Sequence, residues 1–488
     1  MSGDLLNIGK SGLFTAKQSM STTSHNIANA NTDGFSRQEV RTETGTTVGE
    51  GDYVIGRGVE VQSIRRSHDE LIEKKLNTSI TNHKFNEERT LQLGQVEEVF
   101  NEINSEGMNK ILNRFFNSIR ELSNQPENET VRTVVRENAK IVVNDFHRIQ
   151  DNLDLIRGSV NKKINLAVED INGLARNIAK LNKEINVQEV GGGMANDLRD
   201  QRDRSLRTLA EFFPIQCYAD SEGQFVVGIE GVGSIVTGGL AQELAVGSSV
   251  KDGQTSVDKG NAEVFFANRP GIPFSEKLKN GSLGALLKTR NEEIEGLEKQ
   301  VDELAHGLVH ATNSIHRRGF ANHPVPTDAQ GNPIPNAAQK KVTGINFFKE
   351  PLDMKRAAEY IDLSDDVKED VNNIATALEA NSPGDNRLAL AISKLQHEKV
   401  LGGGTTTFEE QYLKSVGNIG VQTGKSKIDE EQSSGILAQA KSFKERLAGV
   451  SLDEEAANMI RYQNAYEASA KVIKASDEMF KAVLGLIP

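Results

Sequence analysis

At 488 residues the chain is long enough for two to four domains of ~100–200 residues each. Basic residues number 57 and acidic ones 69, a net charge of −12, which argues against the basic face that nucleic-acid binding requires. Aromatic residues make up 5% with no tryptophan, which disfavours aromatic ligand pockets and base-stacking platforms, and the single cysteine, Cys217, can form neither an internal disulfide nor a cysteine zinc cluster.

The opening segment, MSGDLLNIGKSGLFTAK, carries an early acid and no continuous apolar core, so it does not read as a cleavable secretory signal. No run of ~18 apolar residues occurs, so no membrane insertion is expected. Leu6, Leu13, Met20 and Ile27 recur at sevens, with Gly9, Ala16, Thr23 and Ala30 three places after each. This is a heptad helix with one large and one small seam position. It is expected to stop at the turn residues Asn31-Thr32-Asp33-Gly34. Val59 and Val61 alternate with polar neighbours as a short strand. Shorter helical patterns cover 68–122 and 129–148.

A longer apolar seam runs from Ile149 to Ile185 at spacings of three and four. As one helix that stretch spans about 54 Å. Gly191–Gly193 reads as a flexible connection. Residues 214–275 are rich in glycine, valine and short polar turns, and predict a small inserted β domain. Leu287, Ile294, Val301, Leu308 and Ile315 form a further seam of sevens. Pro324, Pro326, Pro333 and Pro335 make 320–362 an extended excursion, and Gly402–Gly404 a second flexible connection. The chain closes on Leu452, Met459, Tyr466, Ile473, Phe480 and Ile487, again at sevens. Ser451 with Glu454 predicts a capping box at its start.

The expected fold is mainly α: a long helical bundle or coiled-coil rod built from both chain ends, with a small inserted β domain. The expected division is a terminal coiled coil of 1–47 plus 446–488, a helical rod of 48–213 plus 276–445, and a β-rich outer domain of 214–275.

Chemistry is sparse. Gly420-Val-Gln-Thr-Gly424-Lys425-Ser426 has three residues between its glycines where a phosphate-binding loop needs four, and it reads as a loop between helices. His306 and His310 could meet one metal at i, i+4, but Gly307 stands where a general-base glutamate would follow. No nucleophile elbow is present. No catalytic, cofactor or metal residue is assigned, and the chain is not read as an enzyme. The terminal seams carry the functional expectation. They could dock on the domain core, but Gly9, Ala16, Ala30, Ala456 and Ala470 offer little apolar area for that. Leu6, Leu13, Met20, Ile27, Leu452, Met459, Tyr466, Ile473 and Phe480 are therefore expected to form an oligomerisation seam. The ends should be mobile alone and ordered on assembly.

The stretch Ser24-His-Asn26-Ile-Ala-Asn29-Ala-Asn-Thr32-Asp-Gly34-Phe35-Ser36-Arg37 resembles the signature of bacterial flagellar rod, hook and hook-associated proteins. Its motif positions are Asn26, Asn29, Thr32, Gly34 and Phe35. Residues 451–470 resemble the C-terminal helix of the same group. Ser36-Arg37 and the acidic opening Ser451–Glu455 point within it to the hook-associated protein 1 family. So do 195–203, 281–290, Asn313 to His316, Gly319, Ala375 and Gly384-Asp385-Asn386.

The resemblance implies a structural subunit at the hook–filament junction. It implies export through the flagellar type III apparatus, self-assembly into a ring or short tube, and hook protein and hook-associated protein 3 as neighbours. It further implies a cytoplasmic chaperone on the C-terminal region. The rival readings are a hook or distal-rod subunit, a nucleotide enzyme resting on Gly424-Lys425-Ser426, and a secreted coiled-coil effector.

Overall fold

The computed structural model describes residues 2–45, 48–50, 53–100, 107–248 and 260–485. In chain order these form α1 (Ser2–Ala28), β1 (Gln38–Thr44), β2 (Val48–Glu50), β3 (Tyr53–Ile55), β4 (Val59–Arg66), α2 (Glu70–Val99), α3 (Met108–Asn124), α4 (Glu129–Glu189) and α5 (Asn196–Ala210). Six strands follow: β5 (Ile215–Ala219), β6 (Phe225–Ile229), β7 (Gly233–Thr237), β8 (Leu240–Ala241), β9 (Leu244–Ser248) and β10 (Ala262–Phe266). The remainder is α6 (Gly281–Lys288), α7 (Glu295–His316), α8 (Ala357–Tyr360), α9 (Asp365–Glu369), α10 (Arg387–Lys394), α11 (Phe408–Ala448) and α12 (Leu452–Leu484). The fold is mainly α with a small β insert, as the sequence pattern predicts.

The long helices follow from proline placement and caps. Pro126 lies just ahead of α4, and Asn128 Oδ1 accepts from the Thr130 and Val131 N–H groups to open it. With no interior proline the patterns at 129–148 and 149–185 fuse into one helix of 61 residues. It ends at Glu189, and the turn after it is closed by Gly192, whose N–H reaches Glu189 O and whose φ of 85° suits a residue without Cβ. Thr407 and Glu410 form a reciprocal capping box on α11, with bonds of 3.1 and 2.9 Å. The box expected on α12 is only half made. Glu454 N–H reaches Ser451 Oγ at 3.5 Å, while the Glu454 carboxylate turns to Arg37 at 2.9 Å.

The chain clusters into two compact units, 1–86 with 165–284 and 430–488, and 87–164 with 285–429. These limits differ from the expected ones at 47, 213, 275 and 445. Turn residues mark chain reversals, but α2, α4 and α11 each contribute residues to both units, so the unit limits fall inside helices that no turn residue marks.

In the first unit, α1 pairs with α12, and β1 pairs antiparallel with β4, Val40 opposite Ile64. β5, β6, β7 and β8 form a four-stranded antiparallel sheet in that order, and β9 pairs with β10. The expected β region 214–275 therefore holds six strands among its described residues. β1, β2 and β3 were not anticipated: β1 is mostly polar, and β2 and β3 are three residues each, too short to show an alternation.

In the second unit, α3 turns a stripe of Met108, Ile111, Leu112, Phe115, Phe116, Ile119 and Leu122 inward. Phe115 lies 5.2 Å from Phe116, and Phe347 lies 4.8 Å from Phe348, between ring centroids. Phe347 and Phe348 are buried, so the proline-rich excursion is anchored in the core and is not merely extended. Asn313 makes this possible. Its Oδ1 accepts from the N–H groups of Phe347 and Phe348, and its Nδ2 donates to Phe348 O.

His316, one turn on, is fully buried. Its Nδ1 faces Ile345 O at 2.8 Å, and its Nε2 accepts from Ala375 N–H at 2.9 Å. These partners specify a neutral ring protonated on Nδ1. Burial, with Arg132 nearby, pushes its pKa down to about 4. The unfolded chain thus takes up a proton near pH 6.5 that the folded chain refuses until about pH 4. Stability from this group is complete above pH 6.5 and is lost as pH falls toward 4. Glu298 acts oppositely: burial raises it to about 7, so its protonated form favours the fold at low pH. Comparing the chain with His316→Asn isolates the imidazole. The unfolding free energy of the unaltered chain, from urea titration, should fall more between pH 7 and 5 than that of the variant, by about 2 kcal/mol.

Candidate functional site

The terminal helices meet antiparallel. A Cβ on Gly9 would come within 2.7 Å of Ile473 Cγ1, and one on Gly12 within 2.8 Å of Ser469 Oγ. Asn26 Nδ2 reaches Glu455 Oε2 at 3.3 Å. Continued by sevens, this register sets Ala16 opposite Tyr466 and Thr23 opposite Met459. The large residues of α12 thus fall on the small positions of α1. In return Leu6 and Leu13 fall opposite Ser476 and Ser469. Large-into-small pairing lets two helices poor in apolar area approach closely, and Gly9 is needed because any side chain there would strike Ile473.

The seam is thereby partly spent inside the molecule. Leu6, Leu13, Met20, Met459, Tyr466 and Ile473 are half-buried. Ile27, Leu452 and Phe480 are exposed, and Ile487 lies outside the described residues. The heptad pattern did not single out Phe14, 60% exposed, or Ile460, 60% exposed. Val472 and Met479 are exposed as well. Only the packed pair shows which large apolar side chains remain uncovered.

The motif after α1 is a junction. Asn26 is buried, donates to Gln38 O and accepts from Gln38 N–H, both at 2.9 Å. It clips the chain's return at β1 to the end of α1. Asn29 Nδ2 donates to His25 O at 3.0 Å and its Oδ1 accepts from Thr32 Oγ1 at 3.2 Å, winding up the turn. Gly34 has φ 75°, and a Cβ there would sit 2.9 Å from Arg204 Nε. Phe35 stands edge-on to His25, centroids 5.4 Å apart.

Ser36 then gives both its N–H and its hydroxyl to Asp200, at 2.8 Å each. Arg66 pairs with Asp200 at 2.7 Å and with Asp203 at 2.6 Å. Burial alone would lower the Arg66 pKa, but Asp203 and Asp200 raise it above the ordinary arginine value. Arg37 closes the arrangement on the buried Glu455 at 2.8 Å. Segments 24–37, 195–203 and 451–455, remote in sequence, are one polar cluster in space. Asp200 and Glu455 entered only as positions of resembling motifs, with no role read for them, because an acid in a helix ordinarily reads as a solvated face, and Arg66 was not singled out.

The other candidates resolve as follows. Gly420 to Ser426 lies inside α11, which corrects the loop reading and leaves no loop to cradle a phosphate. Tyr412, Ile419, Thr423 and Ser426 are buried along one stripe, and that packing outweighs two helical glycines at about 1 kcal/mol each. His306 and His310 stack with centroids 6.1 Å apart. Among the described residues no group of three potential metal-ligating side chains occurs. Cys217 sits half-buried in β5, where burial pushes its thiol up to about 12.

Residues 93–332 match the family model for the flagellar hook-associated protein FlgK helical domain. Residues 6–35 match that for flagella basal body rod proteins, and 447–486 that for the flagellar basal body rod FlgEFG protein C-terminal region. Flagellar hook-associated protein 1 of Bacillus subtilis is 27% identical, over 98% of this chain and 97% of its own length. Its namesake in Escherichia coli is 25% identical over 99% of both. The solved structure of the flagellar hook junction protein FlgK from Burkholderia pseudomallei superposes with a TM-score of 0.63 at 15% identity, covering 78% of this chain and 100% of that one.

Proposed function

This chain belongs to the flagellar hook-associated protein 1 (FlgK) family, and from that premise we propose that it is a structural subunit joining the flagellar hook to the filament. The α1/α12 pair is the polymerising element. Copies pack side by side through it into a ring or short helical tube, with head-to-tail contacts that repeat around an axis. The hook protein lies on one side and hook-associated protein 3 on the other. The chain reaches that place unfolded through the flagellar type III apparatus, a passage helped by its having only one cysteine and so no internal disulfide. Before export a cytoplasmic chaperone holds its C-terminal region.

The observation that carries the reading is the set of large apolar side chains that the terminal pair leaves exposed. Phe14, Ile460, Val472, Met479 and Phe480 remain uncovered after α1 and α12 have packed on each other. Electron microscopy of flagella from a strain lacking the gene should show hooks without filaments, and filaments should return on complementation. Full-length filaments in the deletion strain would overturn the proposal.

A further inference from the structure

β5 is an outer strand. It pairs with β6 on one side, and among the described residues no strand pairs with the other. Asp220 N–H donates to Gln224 O and Glu230 N–H to Pro214 O, which sets the antiparallel alternation. Gln216 and Tyr218 bond to β6, while Ile215, Cys217 and Ala219 turn their N–H and C=O groups outward. This free edge borders a cleft of about 800 Å³, within the range that takes a small ligand or short peptide. Five basic side chains line the cleft against three acidic ones.

Two of those cations are held by close carboxylates: Arg66 by Asp200 and Asp203, and Arg199 by Glu189 at 2.7 Å. Arg202 is not. It is 6% exposed, and its guanidinium lies 3.7 Å over the Phe225 ring. Its Nη1 donates to Asn182 Oδ1 at 3.2 Å, but among the described residues its Nε has no hydrogen-bond partner. Asp203 Oδ1 stands 3.9 Å off, on a carboxylate that Arg66 already holds. Burial pushes the Arg202 pKa down to about 10 despite Asp203, as expected of a buried charge short of anionic partners. Phe225 is directly opposite Ala219 in the ladder, so Arg202 lies on the face to which Ala219 and Cys217 point.

We propose that this cleft receives an extended acidic peptide segment of a partner protein, which adds as a strand to the outer edge of β5 and sets a carboxylate on Arg202. An added strand lies about 4.8 Å from β5, and its alternate side chains face the Arg202 side. The outward row of backbone groups favours a peptide over a free anion, which would leave that row unused. The buried Arg202 guanidinium, whose nearest carboxylate stands 3.9 Å off, favours an acidic one. Arg66 and Asp203 border both this cleft and the polar cluster beside the terminal pair, but the proposal does not depend on the role of that pair.

The test uses the full chain, a blocked pentapeptide alternating valine and glutamate, its glutamine counterpart, and inorganic phosphate. The glutamate peptide should bind about tenfold more tightly than the glutamine one. It should slow amide exchange at Cys217 and Ala219 and leave Gln216 and Tyr218 unchanged. Arg202→Gln should abolish the preference between the peptides. If that variant does not fold, the exchange pattern of the unaltered chain decides. Equal affinities, unaltered exchange at Cys217 and Ala219, or full displacement of the peptide by phosphate at matched ionic strength would each overturn the proposal.

Discussion

Phe14→Asp should leave the folded monomer within about 0.5 kcal/mol of the unaltered chain, yet abolish filament growth. Phe14 projects from α1 with 60% of its surface exposed, so a carboxylate there meets only water in a single molecule. In an assembly packed through the terminal pair the same carboxylate is buried against apolar neighbours, where an unpaired charge costs several kcal/mol per contact. Repetition around a tube multiplies that cost. Chemical denaturation checks the first half, and electron microscopy of a complemented deletion strain checks the second. Normal filaments carrying Phe14→Asp would remove this face from the assembly surface.

Seam residues make a less clean test. Ile473 packs on Gly9 inside the molecule, so Ile473→Asp would open the helix pair itself. Leu13→Asp acts similarly, since Leu13 is half-buried in the same contact. Either substitution should block assembly, but through a loosened monomer, visible as fast hydrogen exchange along α12.

Asp200→Ala is expected to cost the first unit about 3–5 kcal/mol. Asp200 is buried and accepts three hydrogen bonds, two from Ser36 and one from Arg66. Removing it leaves a buried N–H and hydroxyl without partners and leaves Arg66 with Asp203 alone. The Ser36 turn also delivers Arg37 to Glu455, so the start of α12 should loosen with it. Urea denaturation, with exchange at Ser36 and Gln38 as the local readout, measures both effects. A loss below about 1 kcal/mol would show that the cluster is dispensable for the fold.

Local pattern carried much of this protein. Spacing by sevens at both ends, the absence of proline between 127 and 213, and the glycine-valine composition of 214–275 each act within a few residues along the chain. They yielded the long helices and the place of the β insert. The motif residues were legible as a resemblance, but their physical work was not. Asn313, His316 and Ala375 prove to hold the phenylalanine core together, and Asn26, Gly34 and Ser36 to bind three remote segments.

What the chain determined by itself is whatever depends on periodicity and backbone preference: which stretches are helical, where they begin, and that each terminal helix has a large and a small side. Tertiary structure alone decided the partner of each side. Burial is settled between residues hundreds of positions apart, so only the packed molecule could assign Ile473 to Gly9, give Asp200 to Ser36, and leave Phe14 in water.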